Sequence, residues 1–384
     1  MKFKNNSIES FLDLSENKKN VCFLYSKKRS ILAYNPVDKF ISNDDIDGFK
    51  KFTKKNKNKQ IIGYLSYDLA YKLYNVEQTA ADDLNLPNIY FFAFNKYKEF
   101  ENNDISKFSF KEDGGSKNFK QIITEEEYKN AYERVKKYLK KGDIYQINLT
   151  HRLEGETDCS PREFFAKILK KNPVDFAVYI EGGGFEILSA SPERFIKIRN
   201  GKIITQPVKG TRPRGINKEE DKKFVKELMD SEKENAELNM ITDLLRNDVG
   251  KISKIGTVKL EANRLIQKCP TVWHTYSKIT GEVAVEPVEA LISMFPGGSI
   301  TGCPKKRAIE IIDELEPYTR GIYTGAIGHI EKNGDLDFNI AIRTIIKKGD
   351  KLYLQVGGGI VIDSTEKAEF KETLDKAMSF MKIL

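Results

Sequence analysis

Apolar residues follow two periods along this chain, and they separate its strands from its helices. Gly63-Tyr64-Leu65-Ser66-Tyr67 and Tyr90-Phe91-Phe92-Ala93-Phe94 are short, nearly continuous apolar runs, the pattern of strands covered on both faces. Thr124 and Glu127 form a capping box, after which Tyr128, Ala131, Tyr132, Val135 and Leu139 recur at helical spacing until Gly142 stops them. Ser160, Pro161 and Glu163 start a second helix. Strands are predicted over 176–180 and 185–190, flanking Gly182-Gly183-Gly184. Asn200-Gly201 joins two β-type runs, 195–198 and 202–205, in a tight hairpin. Asn333-Gly334 opens a strand through Ile340, Ile342 and Thr344, and a hairpin around Lys348-Gly349-Asp350 leads into 352–356.

Two later helices complete the pattern. One runs from about Ser231 to Asn247 on the apolar stripe Ile241, Leu244 and Leu245. The other follows Asp363, which with Glu366 makes a capping signal, and turns Phe370, Leu374, Ala377, Met378 and Met381 inward. Hairpins mixed with long helices, without regular βαβ alternation, predict an α+β fold of antiparallel sheet with helices outside. A polar, glycine-rich seam at Glu112-Asp113-Gly114-Gly115-Ser116 separates residues 1–115 from 116–384, as parts of one compact domain.

With 384 residues, 40% hydrophobic and 31% charged, the chain has the composition of a globular enzyme and enough length for a large core. The net charge of +8 comes largely from lysine, as in residues 49–59, where aromatics are sparse. This reads as a solvated basic face and not as a nucleic-acid site. No apolar run is long enough for a membrane span, and the N-terminus resembles no signal peptide. Cys22, Cys159, Cys269 and Cys303 are scattered, which suits a reducing cytoplasm better than a disulfide framework or a zinc site.

The candidate chemistry starts at the Asn200-Gly201 hairpin. Folding back there pairs Ile198 with Ile203 and brings Glu193 opposite Val208, one rung from Lys209. An acid and an amine then lie about 5–8 Å apart. An ideal ladder would point them to opposite faces, but Pro207 has no N–H to donate and breaks the register. The bland alternative is an exposed ion pair of little energetic value.

Four glutamates form a second group. The Ile241–Leu245 stripe extends backward onto Glu237 and Glu234, while Glu369 and Glu372 share a face of the last helix. Two carboxylate pairs on two helices suit a hard cation such as Mg²⁺. Solvated glutamates near helix N-termini are the competing explanation.

Two elements suit anions. Residues 296–304 (PGGSITGCP) lead from a glycine-rich loop into a helix with Pro304 near its first position. Thr301 supplies a hydroxyl there, and Lys305, Lys306 and Arg307 bring cations to the first turn. Gly357, Gly358 and Gly359 follow a strand and let backbone amides approach a ligand, with Arg343 on the adjoining strand. Together they describe a ligand with two carboxylates. His274, beside Trp273, is either a packed core residue or a general acid–base.

Taken in order, the stretches GDIYQINLTHR, SASPERF, PVKGTRPRG, ENAELNMITDLLRNDVGKIS, VWHTYS, MFPGGSITGCPKKRAIEIIDELEP, GIYTGAIG, DFNIAIRT and GGGIVIDSTEKAEFKETLDK resemble the chorismate-utilising enzymes. They cover the chain from about Tyr128 onward, and GYLSYDL is the main match before it. Within the family they resemble the component I of aminodeoxychorismate synthases. Anthranilate synthases, the nearest alternative, carry alanine where Lys209 stands. Isochorismate and salicylate synthases carry a lysine base where this chain has Gln146. The resemblance implies two packed antiparallel sheets with outer helices, the fold of anthranilate synthase component I.

It also implies a mechanism. Chorismate would be held by Arg343, Tyr323, Thr301, Gly210, Thr211 and the amides of Gly357, Gly358 and Gly359. Mg²⁺ would be held by Glu237 and Glu372, with Glu234 and Glu369 in support. Lys209 would attack C2 as the 4-hydroxyl leaves, with Glu193 as general acid and His274 assisting electrostatically. Ammonia from a separate glutaminase subunit would then enter at C4 and expel the lysine from C2. The product, 4-amino-4-deoxychorismate, would pass to a separate lyase.

Overall fold

A computed structural model describes residues 7–101, 116–268 and 272–381. The seam at 112–116 and Cys269 fall outside the described residues, apart from Ser116. Two antiparallel sheets of ten strands each dominate the fold. The first runs Gly302–Cys303, Gln146–Thr157, Lys351–Ile360, Thr344–Lys348, Glu186–Ser191, Phe176–Glu181, Cys22–Tyr25, Arg29–Ala33 and Tyr97–Glu101, with Ser116–Gln121 also on Gln146–Thr157. The second runs Val208–Pro213, Val272–Glu282, Lys202–Thr205, Arg194–Arg199, Leu336–Ile340, Ala326–Ile330, Gln60–Leu65, Ile89–Phe94 and Asp38–Ser42, with Lys259–Lys268 on Val272–Glu282. In both sheets the strands from before the seam lie together at one end, joined to the later ones where Cys22–Tyr25 pairs with Phe176–Glu181 and Gln60–Leu65 with Ala326–Ile330.

Side-chain alternation along each strand makes four layers. Cys22, Leu24, Val178, Ile180 and Ile187 of the first sheet meet Ile62, Tyr64, Tyr90 and Phe92 of the second. The next residues along point outward. Phe23, Tyr179 and Leu188 pack under the helices Ser7–Ser15 and Pro161–Lys171. Ile61, Phe91 and Ile196 pack under Ile46–Lys55, Glu232–Ile252 and Lys305–Leu315. Ile89–Phe94 is buried along its whole length because helices or sheet cover both faces.

The local signals hold in detail at several places. Thr124 and Glu127 make the reciprocal capping box of Glu125–Lys141, and Gly142 ends that helix at φ 78°. Pro161 opens Pro161–Lys171, although the Ser160 side chain makes no capping bond. The lysines of Ile46–Lys55 are solvent-facing or half-buried, while Phe49 and Phe52 are buried beneath them. Among the described residues, no helix is long and apolar enough to cross a membrane.

Other expectations are corrected. The strand expected through Ile340, Ile342 and Thr344 ends at Ile340, and a new strand starts at Thr344 in the other sheet. Arg343 therefore lies at a crossover between sheets, at φ 53°, and not on a strand. Gly357, Gly358 and Gly359 lie inside Lys351–Ile360, paired with Thr150, Leu149 and Asn148, and not in a loop after it. Glu232–Ile252 runs five residues past Asn247. The last helix begins at Glu366, which leaves Asp363 outside it, and Met378 faces solvent.

Candidate active site

The hairpin at Asn200-Gly201 has the expected register, with Ile198 opposite Ile203 and Lys197 opposite Ile204. It does not continue to Glu193 and Val208. After Pro207 the chain leaves Arg194–Arg199, while Val208–Pro213 continues along Val272–Glu282, the strand that Lys202–Thr205 already joins on its side away from Arg194–Arg199. Arg194–Arg199 takes Leu336–Ile340 as its other neighbour. Proline has no N–H for the ladder, so the divergence starts there. A bulge follows between Lys209 and Thr211, with Gly210 at φ 72°.

This departure brings Glu193 and Lys209 to one site. Glu193 is buried, and its Oε1 accepts a hydrogen bond from Ser299 Oγ at 2.9 Å. Burial raises its pKa to about 7, against the opposing pull of Ser299, Lys209 and the Val208 N–H. Near neutrality the acid keeps much of its proton. Lys209 is half-buried, and its backbone oxygen accepts from Thr275 Oγ1 at 2.5 Å.

Three glycines let charged groups approach the backbone. A Cβ at Gly359 would lie 2.9 Å from Gln146 Nε2 and 3.2 Å from Lys209 Nζ. One at Gly358 would lie 3.3 Å from Glu369 Oε2, and one at Gly210 3.0 Å from Glu234 Oε2. The strand 351–360, the bulge at 210 and the two carboxylate helices therefore converge on one volume. Gln146 is buried there, and neither end of its amide has a hydrogen-bond partner.

The four glutamates differ in their surroundings. Glu369 is buried, and its Oε1 accepts from Ser364 Oγ at 2.6 Å. Lys233 Nζ lies 3.9 Å from Glu237 and 3.7 Å from Glu369, bridging the two helices. Burial raises the pKa of Glu237, with Glu369 and Glu372 adding to it and Lys209 and Lys233 opposing. Burial would raise Glu372 too, but Lys376, Lys209 and Lys233 outweigh it and its pKa is lowered. Glu234 Oε1 accepts from Arg212 at 2.7 Å, while its buried Oε2 has no hydrogen-bond partner. As they stand, no three acids, histidines or cysteines among the described residues are grouped to hold a metal ion. The donor set nevertheless fits a cation. An ammonium group already sits between Glu237 and Glu369, and the Glu234 oxygen is buried without compensation.

The anion-binding elements are partly brought in. Thr301 is buried and donates its hydroxyl to Gly297 O at 2.8 Å, and Tyr323 is buried nearby, its pKa pushed up by burial. Arg343 reaches the last helix through a long contact, 3.5 Å to Lys376 O, and its pKa is lowered by burial, with Tyr323 and Glu372 opposing. Two of the three first-turn cations, Lys305 and Arg307, are already paired, while Lys306 is exposed. Pro304 is the N-cap and not a first-turn residue. Lys305 is buried and pairs with Asp248 at 2.7 Å, while Arg307 pairs with Glu310 at 2.9 Å. The Lys305–Asp248 pair instead ties two helices together.

His274 lies on Val272–Glu282 opposite Thr211, and its Nδ1 is 3.1 Å from Gly210 O and 3.0 Å from Thr211 Oγ1. Burial lowers its pKa, against the Gly210 bond and with help from Arg343 and Lys376, which favours the neutral ring. Two residues of the site escaped sequence reasoning. Ser299 lies within the glycine-rich loop and gave no separate signal. Lys376 follows Glu372 by one helical turn; it pairs with Glu372 at 2.7 Å and donates to Gly357 O at 2.9 Å.

A separate cavity of about 900 Å³ lies beyond the same strands, lined by Arg194 and Val208, the neighbours of Glu193 and Lys209. None of the candidate site residues lines it. Consecutive strand residues face opposite ways, so the chemistry and the cavity occupy different sides.

Residues 9–382 match the chorismate binding enzyme family. Aminodeoxychorismate synthase component 1 of Bacillus subtilis (strain 168) is 35% identical across 84% of this chain and 76% of its own length. The protein of that name from Escherichia coli (strain K12) is 36% identical over the same shares. Anthranilate synthase component 1 of Acetivibrio thermocellus is 42% identical, but across 68% of this chain and 53% of its own length. This chain spans about half the length of that relative. The crystal structure of anthranilate synthase component I from Streptococcus pneumoniae TIGR4 superposes with a TM-score of 0.83 over 92% of each chain, at 28% identity. Two packed antiparallel sheets with outer helices are thus the shared fold.

Proposed function

This chain belongs to the family of chorismate-binding enzymes, and we propose that it aminates chorismate at C4 to give 4-amino-4-deoxychorismate. The observation that carries the reading is the amine of Lys209 set against Gly359 and Gln146, with Glu193, whose pKa burial raises to about 7, held nearby. The wider span of the matches to aminodeoxychorismate synthases supports it. So does lysine at 209, where the family resemblance puts alanine in anthranilate synthases.

In this mechanism Lys209 Nζ forms a bond to C2 while the ring double bonds shift and the C4–oxygen bond breaks. Glu193 gives its proton to the leaving oxygen, which departs as water. Ammonia then bonds to C4, the double bonds shift back and the C2–Nζ bond breaks. Net replacement of hydroxyl by amine leaves the rest of the ring unchanged. Arg343, Tyr323, Thr301, His274 and the Gly210–Thr211 and Gly357–Gly359 backbone orient the two carboxylates. Glu237, Glu372, Glu234 and Glu369 would hold Mg²⁺, which supplies charge neutralisation for a bound carboxylate. Lys233 must then give way between Glu237 and Glu369. Ammonia would come from a separate glutaminase subunit, and the product would pass to a lyase that removes pyruvate, all in the cytoplasm.

The deciding experiment is mass spectrometry of the products from chorismate, ammonium and Mg²⁺, with the lyase added or withheld. A mass and retention matching aminodeoxychorismate are expected, with para-aminobenzoate once the lyase is present. Anthranilate as the product would move the chain to the other branch. A chelator is expected to stop the reaction, and Glu237→Gln to raise the Mg²⁺ needed for half-maximal rate by about ten-fold or more. An unchanged Mg²⁺ requirement in that variant would remove Glu237 from the ligand set.

A further inference from the structure

Arg320 has no part in the mechanism above, yet it is among the largest fully buried side chains. A guanidinium carries five N–H donors in a planar fork, and here each has a partner. Nε and Nη2 donate to the two Glu316 carboxylate oxygens at 2.9 and 2.7 Å. Nη2 also donates to Asn148 O at 2.5 Å. Nη1 donates to Ile300 O at 2.9 Å and Thr324 Oγ1 at 3.4 Å. The Tyr67 ring lies 4.6 Å from the guanidinium carbon.

Three of these partners, Ile300, Thr324 and Asn148, adjoin or pair with a residue of the substrate site. Ile300 precedes Thr301, whose carbonyl accepts from Asn148 N at 3.0 Å. Thr324 follows Tyr323, whose N–H donates to Arg320 O at 3.1 Å. Asn148 pairs across the ladder with Gly359. Three stretches far apart in sequence meet at one cation. The next residue, Gly321, adopts φ 56° and is gripped from the first part of the chain. Ser66 Oγ and Tyr67 N donate to its oxygen at 2.7 and 2.8 Å, and its N–H donates to Asp68 Oδ2 at 2.9 Å.

Stability is a weak reason for such an arrangement. Burying an ion pair costs about as much in desolvation as attraction returns, and apolar packing commonly does as well. What apolar residues cannot supply is a rigid planar fork that sets distances among four acceptor groups. We propose that Arg320 is a positioning residue: it fixes the spacing of Thr301, Tyr323 and the Gly359 strand, and the Ser66-Tyr67-Asp68 turn fixes Arg320. Affinity for chorismate then depends on a side chain that does not touch it. This rests on the assignment of those three elements to the substrate site.

Calorimetric titration of the whole protein with chorismate tests the proposal. Arg320→Lys keeps a positive charge opposite Glu316 but loses the fork. Arg152→Lys is the control, since Arg152 is also buried, forks Asp83 at 2.9 and 2.6 Å, and donates its remaining guanidinium bond to Glu154 and not to Thr301, Tyr323, Gly359 or a residue beside them. Arg320→Lys is expected to weaken binding by about ten-fold or more, the equivalent of one or two lost oriented hydrogen bonds. Arg152→Lys is expected to lower the melting temperature and bind as the wild type does. Equal binding by Arg320→Lys and wild type overturns the proposal, as does an equal loss in both lysine variants. If Arg320→Lys does not fold, Tyr67→Leu takes its place: weakened binding supports the proposal and unchanged binding overturns it. A wild-type protein that does not bind chorismate overturns the substrate reading as well, a result distinct from either.

Discussion

Replacing Lys209 with alanine should leave a folded protein that makes no 4-amino-4-deoxychorismate. The fold should survive because the local structure depends on the backbone. The Lys209 carbonyl keeps its bond from Thr275, and Val208–Pro213 keeps its ladder with Val272–Glu282. The chemistry should not survive, because ammonia at C4 needs the allylic system rearranged by a nucleophile already bonded at C2. With the amine removed, ammonia can meet C2 directly, and any residual product should carry its nitrogen there and, once pyruvate is eliminated, fluoresce as anthranilate. Intact-mass spectra of wild-type protein quenched during turnover should show a chorismate-derived adduct that Lys209→Ala lacks. Undiminished aminodeoxychorismate formation by the variant would remove the covalent step.

Glu193→Gln should lower the rate by about 10²–10⁴, the range of general acid catalysis. That corresponds to roughly 3–5 kcal/mol of barrier. Glutamine keeps the volume and can still accept the Ser299 bond, so folding should be little affected. It has no acidic proton for the departing oxygen. The pH profile provides a separate check. Burial raises the Glu193 pKa from 4.5 to about 7, so the donor is present below neutrality and lost above it. The rate should therefore fall as pH rises through about 7, and Glu193→Gln should lack that limb. Stability follows the same sign. The proton is held more tightly in the folded state, so this group's contribution is full below 4.5 and gone above about 7. A near-normal rate with the limb retained would give Glu193 a structural role.

Much of the fold was legible in short stretches whose physics is local. The Thr124–Glu127 capping box, the Gly142 stop and the Asn200-Gly201 register depend on residues within a few positions of one another, and each appears as read. The site residues could be named because motif spacing keeps Lys209, Glu193 and the glutamates in order. Their meeting could not be derived from spacing. The expected hairpin would have pointed Glu193 and Lys209 apart, and it is the parting of the chain from Arg194–Arg199 after Pro207, with the bulge at Gly210, that reconciles them.

Where an element changes sheets or a charge finds a distant partner, local pattern gives the wrong answer. Residues 340–344 read as one β run, because apolar alternation is the same whichever sheet receives it. Arg343 marks the break only through a backbone angle. Lys305 reads as an anion ligand at a helix start, but Asp248, from another helix, claims it in the interior.

The amino-acid sequence by itself determined most element types, their turns and caps, and the candidate groups for the chemistry, since these follow from backbone preferences and residue chemistry over a few positions. Only the tertiary structure decided which strands are neighbours and which cations are already spent. It also decided that burial raises one carboxyl's pKa to about 7. Those outcomes depend on desolvation and on partners far away in the chain, and no local window contains them.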